Sequence, residues 1–429
     1  MDERRQALMR IVVGRRRRQS AQFMGAVCGA LVSGLLLAGC GGLPTQNVKS
    51  TPAIYAQERI PEEVLLDVDI EVFDPGAQNS EDEPPEDDAQ PQIRKAEAHY
   101  IPVHLKHTLQ LTGQWGAVRV TPEKSRGAEI SLSGTIVRSN GEELVVEVEA
   151  RDVTGVSWFR KRYRAEIKQG AYADVQKGYR DPYQDLYNAI GNDLVAYREQ
   201  LRPSQLRRIR TVAKLRFAAE LAPEAFSGYL STSDDGVYQV DRLPAARDPM
   251  MQRVLRLRER DFMFADTVTE HYARYYDDLW EPYLSWRRSY LEEANAKREI
   301  QGKARTRTLL GIASILGAIA YELAAGGNTS STATNVMVLG GALAIKSGID
   351  IGKEAQIHAD AIRELGQSFG ADVAPIVMDV EGRVVTLSGS AEQQYSDWRR
   401  LLRAIFASET GLPVSAEVPP AAEEMQQDQ

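Results

Sequence analysis

The stretch ISLSGTIVRSNGEELVVEVEARDVTGVSWFRKRYRAEI, residues 130–167, decides the fold. Two β-rich runs, ISLSGTIVRS and EELVVEVEA, meet at Asn140-Gly141. That dipeptide signals a hairpin because a type I′ turn needs positive φ at both central residues. In the second run Leu144, Val146, Val148 and Ala150 fall on one face, with Val145, Glu147, Glu149 and Arg151 on the other. This is the alternation of a strand with one buried side. A second turn, Asp152-Val153-Thr154-Gly155, leads to a third strand from Val156 to Ile167 that carries Trp158 and Tyr163. A three-stranded meander is expected.

Upstream, Leu66, Val68, Ile70 and Val72 alternate with charges until Asp74-Pro75-Gly76 turns the chain, which reads as a strand. The acidic, proline-rich segment SEDEPPEDDAQPQ from Ser80 reads as a solvated loop, with nothing to fix its carboxylates around a cation. From Ile93 to Thr112 apolar residues recur at helical spacing, and Gly113 stops the run before a strand at Trp115 to Val120. Downstream, a helix is expected from Pro182 to Leu201. The order is strand, helix, strand, meander, helix.

The phrases SLSGTIVRSNGEELVVEVEARDVTGVSWFRKRY and QWGAVRVTP resemble the periplasmic domain shared by the curli-secretion lipoprotein, related polysaccharide-export lipoproteins and the amino-terminal domain of TolB, over residues 62–200. The resemblance implies an α/β domain of a kind used in ring-forming lipoproteins, with mostly structural shared residues. The group's usual helix before the meander is short or missing at Thr121 to Ala128.

The amino-terminal residues supply an address. Arg4, Arg5, Arg10 and Arg15 to Arg18 precede an apolar block from Phe23 to Leu37 and the small pair Ala38-Gly39. That is the order of a cleaved signal peptide. Leu37-Ala38-Gly39-Cys40 resembles the bacterial lipoprotein signal, which implies acylation of Cys40 and removal of residues 1–39. An uncleaved anchor competes poorly, since a block of about 15 residues is short for a span. Glycine rather than aspartate after Cys40 implies, by lipoprotein sorting, the periplasmic face of the outer membrane. Cleavage shifts the net charge from -8 to about -13, which argues against nucleic acid as a partner. The only cysteines are Cys28 and Cys40, so no disulfide framework is expected.

The expected fold class is α+β, divided into a signal peptide (1–39), a tether (40–61), a periplasmic α/β domain (62–201), a helical region (202–305), a Gly/Ala-rich apolar helical hairpin (306–353), a small αββα unit (354–416) and a frayed tail (417–429). In the helical region Pro282 is expected to kink or break the chain. Tyr283, Trp286 and Tyr290 share one helix face there, either as core or as a carbohydrate-stacking platform. In the hairpin, Gly340, Ala344, Gly348 and Gly352 form a stripe with almost no side chain, suited to close helix packing. The αββα unit resembles a BON module through Val377 to Ser390.

Chemistry is sparse. HExxH, GxSxG, Walker A and Rossmann fingerprints do not occur, and a cysteine nucleophile is excluded if Cys40 is acylated. His99, His104 and His107 cluster, with Glu97 near, but no fourth ligand stands at motif spacing. The expectation is a non-enzymatic protein without cofactor or metal, a structural or accessory subunit of an export or secretion assembly. Its partners would be the membrane through Cys40, further copies of itself, or envelope proteins. A membrane-inserting or channel-forming protein acting through residues 308–352 is the alternative, and an envelope hydrolase stands third.

Overall fold

The computed structural model describes residues 43–76, 91–123, 127–167, 170–172, 175–177, 180–325, 357, 360, 373–380 and 383–411, with residues 299–325 and 373–386 described as backbone. The chain divides into the units Met1–Pro44 and Thr45–Gln429. The second holds every element below, including segments that the sequence reading separated at residues 201 and 305.

The fold is α+β. Six strands form one sheet: β1 (Thr45–Asn47), β2 (Val68–Glu71), β3 (Val118–Thr121), β4 (Ile130–Ser139), β5 (Glu143–Asp152) and β6 (Ser157–Glu166). Their spatial order is β1-β6-β5-β4-β2-β3. β2 runs parallel to both β3 and β4, the meander β4-β5-β6 is antiparallel, and β1 joins β6 in parallel. Helices α1 (Pro91–Leu111) and α2 (Gln184–Arg198) lie side by side and pack on the strands. The alternation within β5 is realised: Leu144, Val146, Val148 and Ala150 are fully buried. On the opposite face Arg160 and Arg164 pair with Glu147 and Glu143, each at 2.6 Å, partly in water. Pairs so exposed contribute at most about 1 kcal/mol each.

The turn motif around Asp152 is structural. Asp152 Oδ1 accepts from the Thr154 N–H at 2.8 Å and Oδ2 from the Trp158 indole N–H at 2.9 Å, while Gly155 takes φ +98°. A residue with a Cβ is strained at that φ, so the spacing of Asp, Thr, Gly and Trp follows from one tight turn.

The other turn corrects the sequence reading. Asn140 and Gly141 are absent from the positive-φ residues, so there is no type I′ turn. The loop Asn140 to Glu142 is held instead by Asn140 Oδ1, which accepts from the N–H groups of Glu142 (2.9 Å) and Glu143 (2.7 Å). Glycine is needed at 141 for a different reason: a Cβ there would lie 2.6 Å from the Arg287 carbonyl oxygen and 2.6 Å from the Tyr290 Cβ. Gly141→Val is therefore expected to cost about 1–3 kcal/mol by overpacking. A thermal melt checks it, and a variant that melts like its parent contradicts the contact.

The stretch expected to be a tether is largely ordered. Residues 45–56 supply β1 and then follow α2, because backbone groups of an extended segment find partners there.

Helix α3 (Pro203–Leu221) and a single turn, Pro223–Phe226, precede β7 (Leu230–Thr232) and β8 (Tyr238–Val240). These strands pair around the Asp234-Asp235-Gly236 turn, inside the region expected to be helical. Then α4 runs from Pro249 to Ala325, 77 residues. At 1.5 Å per residue that is about 115 Å. Pro282 does not end it. The proline removes one bond to the Asp278 carbonyl, and Asp278 is exposed, so water can take that place. Thr269 Oγ on α4 both accepts from the Val120 N–H and donates to the Val120 carbonyl, each at 3.1 Å, which closes the β3 edge. Strands β9 (Val373–Val380) and β10 (Arg383–Gly389) form a hairpin, and α5 (Ala391–Thr410) follows, capped by Ser390, whose hydroxyl accepts from the Gln393 N–H. The spacing of α5 turns Trp398, Leu401, Leu402, Ile405 and Phe406 inward; Trp398, Leu402, Ile405 and Phe406 are buried and Leu401 is half-buried. Among the described residues no helix is long and apolar enough to cross a membrane.

Candidate functional site

Among the described residues, a dense cluster of chemically capable side chains lies where α4 packs on α1 and on the approach to α2. α1 presents Glu97, Tyr100 and His104 at i, i+3, i+7, and α4 presents Tyr276, Tyr283 and Arg287 at i, i+7, i+11, so each set forms one stripe. Asp181 and Tyr183 come from the approach to α2, Gln184 and Tyr187 from its first turn, and Ser139 from the end of β4.

At the centre Arg287 meets Asp181 with two parallel bonds, Nη1 to Oδ1 at 2.9 Å and Nη2 to Oδ2 at 2.7 Å, and both side chains are 0% exposed. The guanidinium lies 4.2 Å from the Tyr283 ring centre and 5.5 Å from that of Tyr183. Asp181 also accepts from the Tyr100 hydroxyl (3.1 Å) and the Tyr183 N–H (2.8 Å). Burial alone would raise the Asp181 pKa; the attraction of Arg287 and its bonds hold it below the ordinary value. Glu97 behaves oppositely. Burial raises its pKa against the opposing pull of Ser139, Tyr283, Arg94 and Arg287. Its Oε1 accepts from the hydroxyls of Ser139 and, at 2.6 Å, Tyr283, while Oε2 has no partner among the described residues.

His104 uses both ring nitrogens. Nε2 donates to Gln184 Oε1 at 2.8 Å, since that oxygen can only accept, and Nδ1 then accepts from the Tyr276 hydroxyl at 2.8 Å. The imidazole is neutral, its pKa lowered by burial. Gln184 in turn donates to Thr108 and Asn188, each at 3.0 Å, so the amide orientation is fixed.

An acid, a neutral imidazole, a carboxylate and a guanidinium are the parts of general acid-base chemistry. Here every one of them is sealed: Glu97, Asp181, His104 and Arg287 are all buried. What the arrangement does is fasten α4 to α1 and α2. Its cation is neutralised within the cluster, and most of its polar atoms are satisfied by residues of the other elements.

Cys40 and the stripe Gly340, Ala344, Gly348 and Gly352 lie outside the described residues. The three clustered histidines do not converge: His104 is consumed as above, His99 places Nδ1 against the Lys95 carbonyl at 2.9 Å, and His107 meets the Tyr276 ring edge-on. Among the described residues no three His, Cys, Asp or Glu form a metal-holding group. Tyr283 and Trp286 are buried and stacked, 5.9 Å between ring centres, and half-buried Tyr290 continues the row 5.9 Å from Trp286, so the face is packed as core rather than open as a stacking platform. Sequence reasoning passed over Asp181 and Arg287. Only Glu97 and His104, weighed as metal ligands, and Tyr283, placed on an aromatic helix face, had been marked beforehand.

One pH dependence follows. Burial lowers the pKa of His99, His104, His107 (to about 4) and His271. The unfolded chain, with histidine near 6.5, takes up those protons first as pH falls. The histidine contribution is therefore full above about 6.5 and is lost as pH drops toward 4, while Glu97, Glu129 and Asp261, whose pKa burial raises, contribute with the opposite sign; the difference in denaturant midpoint between the parent and His104→Gln across that window isolates the histidine part. A difference that does not change with pH contradicts the burial of His104.

Compared with protein-family models, with curated proteins and with solved structures, the chain finds no match in any of the three.

Proposed function

We propose that the chain is an envelope lipoprotein, acylated on Cys40 at the periplasmic face of the outer membrane, that serves as a non-enzymatic structural or accessory subunit of an export- or secretion-type assembly. The address is supported by Leu37-Ala38-Gly39-Cys40 behind its basic and apolar leader. The assembly setting is supported by the resemblance of residues 62–200 to the domain of ring-forming lipoproteins. The structural role is carried by one observation: the side chains best suited to catalysis are spent, fully buried, on fastening a 77-residue helix to the α/β body. An element so long and so firmly rooted transmits position rather than processing a substrate. A second reading, insertion through residues 308–352, is favoured by the unbroken backbone that joins the docked part of α4 to the apolar run Thr308 to Ala325.

Cys40→Ser tests the address. The variant is expected to accumulate as a larger, uncleaved precursor that incorporates no labelled palmitate. Normal processing with unchanged outer-membrane fractionation contradicts it. Mass photometry with and without detergent then separates the two readings: assembly independent of detergent supports the subunit, and detergent-dependent assembly supports insertion.

A further inference from the structure

Residues 45–56 are bound to the body almost entirely through their main chain. β1 pairs with Arg162 to Arg164 of β6, and the Val48 N–H continues the ladder to the Arg164 carbonyl at 2.8 Å. Beyond it, a row of side chains on one face of α2, at i, i+3, i+7, takes over. Asp185 Oδ1 accepts from the Thr51 N–H and Asn188 Nδ2 donates to the Thr51 carbonyl, both at 2.8 Å. Asn192 accepts from the Ile54 N–H and donates to the Pro52 carbonyl, both at 2.9 Å. The Ala56 N–H closes on the Thr112 carbonyl at 2.8 Å.

No side chain of this strap is buried, and Thr45, Gln46, Asn47, Lys49, Ile54 and Tyr55 are exposed. A segment anchored in a core resists removal through its apolar area; this one has little such area, and its bonds are of a kind that any identical segment satisfies equally. Gln57 to Pro61 link it to the single helical turn Glu62–Val64.

We infer that the groove between β6 and α2 is an exchangeable seat for an extended segment, and that its second occupant is the strap of another copy of this chain. Reciprocal exchange preserves every bond named above, including the half-buried contacts of Val48, Ala53 and Ala56, and so leaves only the cost of association. Neighbours held close together in an assembly have that cost reduced by their effective concentration. The inference deepens the assembly reading and rests on it for the presence of neighbours; acylation plays no part in the test.

The register supplies the test, because Asn47 faces Arg164 across the β1-β6 pair and both are exposed. The chain from residue 41 onward lacks both native cysteines. Into it go Asn47→Cys and Arg164→Cys, separately and together. The double variant is expected to form an intrachain disulfide at low concentration. An equal mixture of the single variants, oxidised after incubation, is expected to give a covalent heterodimer whose yield rises with protein concentration. Asn188→Ala with Asn192→Ala should speed its appearance severalfold without changing the sheet's circular dichroism. An intrachain disulfide with no heterodimer at any concentration overturns the exchange. Dimers of one single variant with itself in place of the heterodimer also overturn it, and a double variant that forms no intrachain disulfide removes the seat itself. Each of these results leaves the Cys40 reading standing, and failure of palmitate labelling leaves this inference standing.

Discussion

Arg287→Met is expected to be the most damaging single substitution among the described residues, destabilising the protein by about 3–5 kcal/mol. The loss comes from what remains. Asp181 stays 0% exposed with its countercharge gone, and the Tyr100 and Tyr183 groups that still donate to it do not neutralise it. Asp181→Asn strands Arg287 in the same way but keeps an acceptor for the Tyr183 N–H. The double variant should therefore lose clearly less than the sum of the two single losses, since the interaction is shared. Denaturant midpoints at constant m-value give all three numbers. Additive losses would mean the pair is not coupled. The pH profile has a definite sign. In the parent the lowered pKa of Asp181 gives stability that is full above the ordinary aspartate value and is lost as pH falls below it. In Arg287→Met the same carboxyl, now only desolvated, takes up a proton more readily than when exposed, so the variant should recover part of its deficit on acidification.

Trp398→Ala is expected to rank next, at about 3–5 kcal/mol. The indole is fully buried, stacks on Phe264 with 4.9 Å between ring centres, and donates through Nε1 to Asp261 Oδ1 at 3.0 Å. Its removal leaves a cavity and takes a donor from a buried carboxylate whose pKa burial already raises. The damage should be local. Apart from Trp398, α5 is joined to the body by its buried face, Tyr395, Leu402, Ile405 and Phe406, and by Arg399 with Glu220, Arg253 with Glu409 at 3.1 Å and Tyr272 with Glu392 at 3.1 Å, and these polar ties reach α3 and α4 rather than the six-stranded sheet. Limited proteolysis should then cut within residues 391–410 while the six-stranded sheet stays protected. Simultaneous loss of both would show that α5 is no separable layer.

Much of this was legible in the sequence for a simple reason: period and turn chemistry are local. The alternation in β5, the helix at Ile93 to Thr112 and the Asp152 turn each follow from neighbours within a few residues. What failed to show was set by distant partners. Gly141 was correctly singled out for the wrong cause, because the group that excludes a Cβ belongs to residue 287. The strap at 45–56 has no apolar period to read, since α2 recognises its backbone rather than its side chains. Arg287 falls in the helical region with no local feature that marks it. Its partner lies 106 residues earlier, and no spacing rule connects the two.

Amide hydrogen exchange followed along α4 tests the central claim, that a sealed cluster fastens this helix into the body. If it does, Val268 to Trp286 on α4 and Tyr100 to Leu109 on α1 will exchange only with global unfolding, at one common free energy, and both will fall together in Arg287→Met. If α4 instead exchanges at a lower free energy than α1 while β4 and β5 remain protected, the helix opens on its own, the cluster is accessible in that open state, and the structural reading of these residues is contradicted.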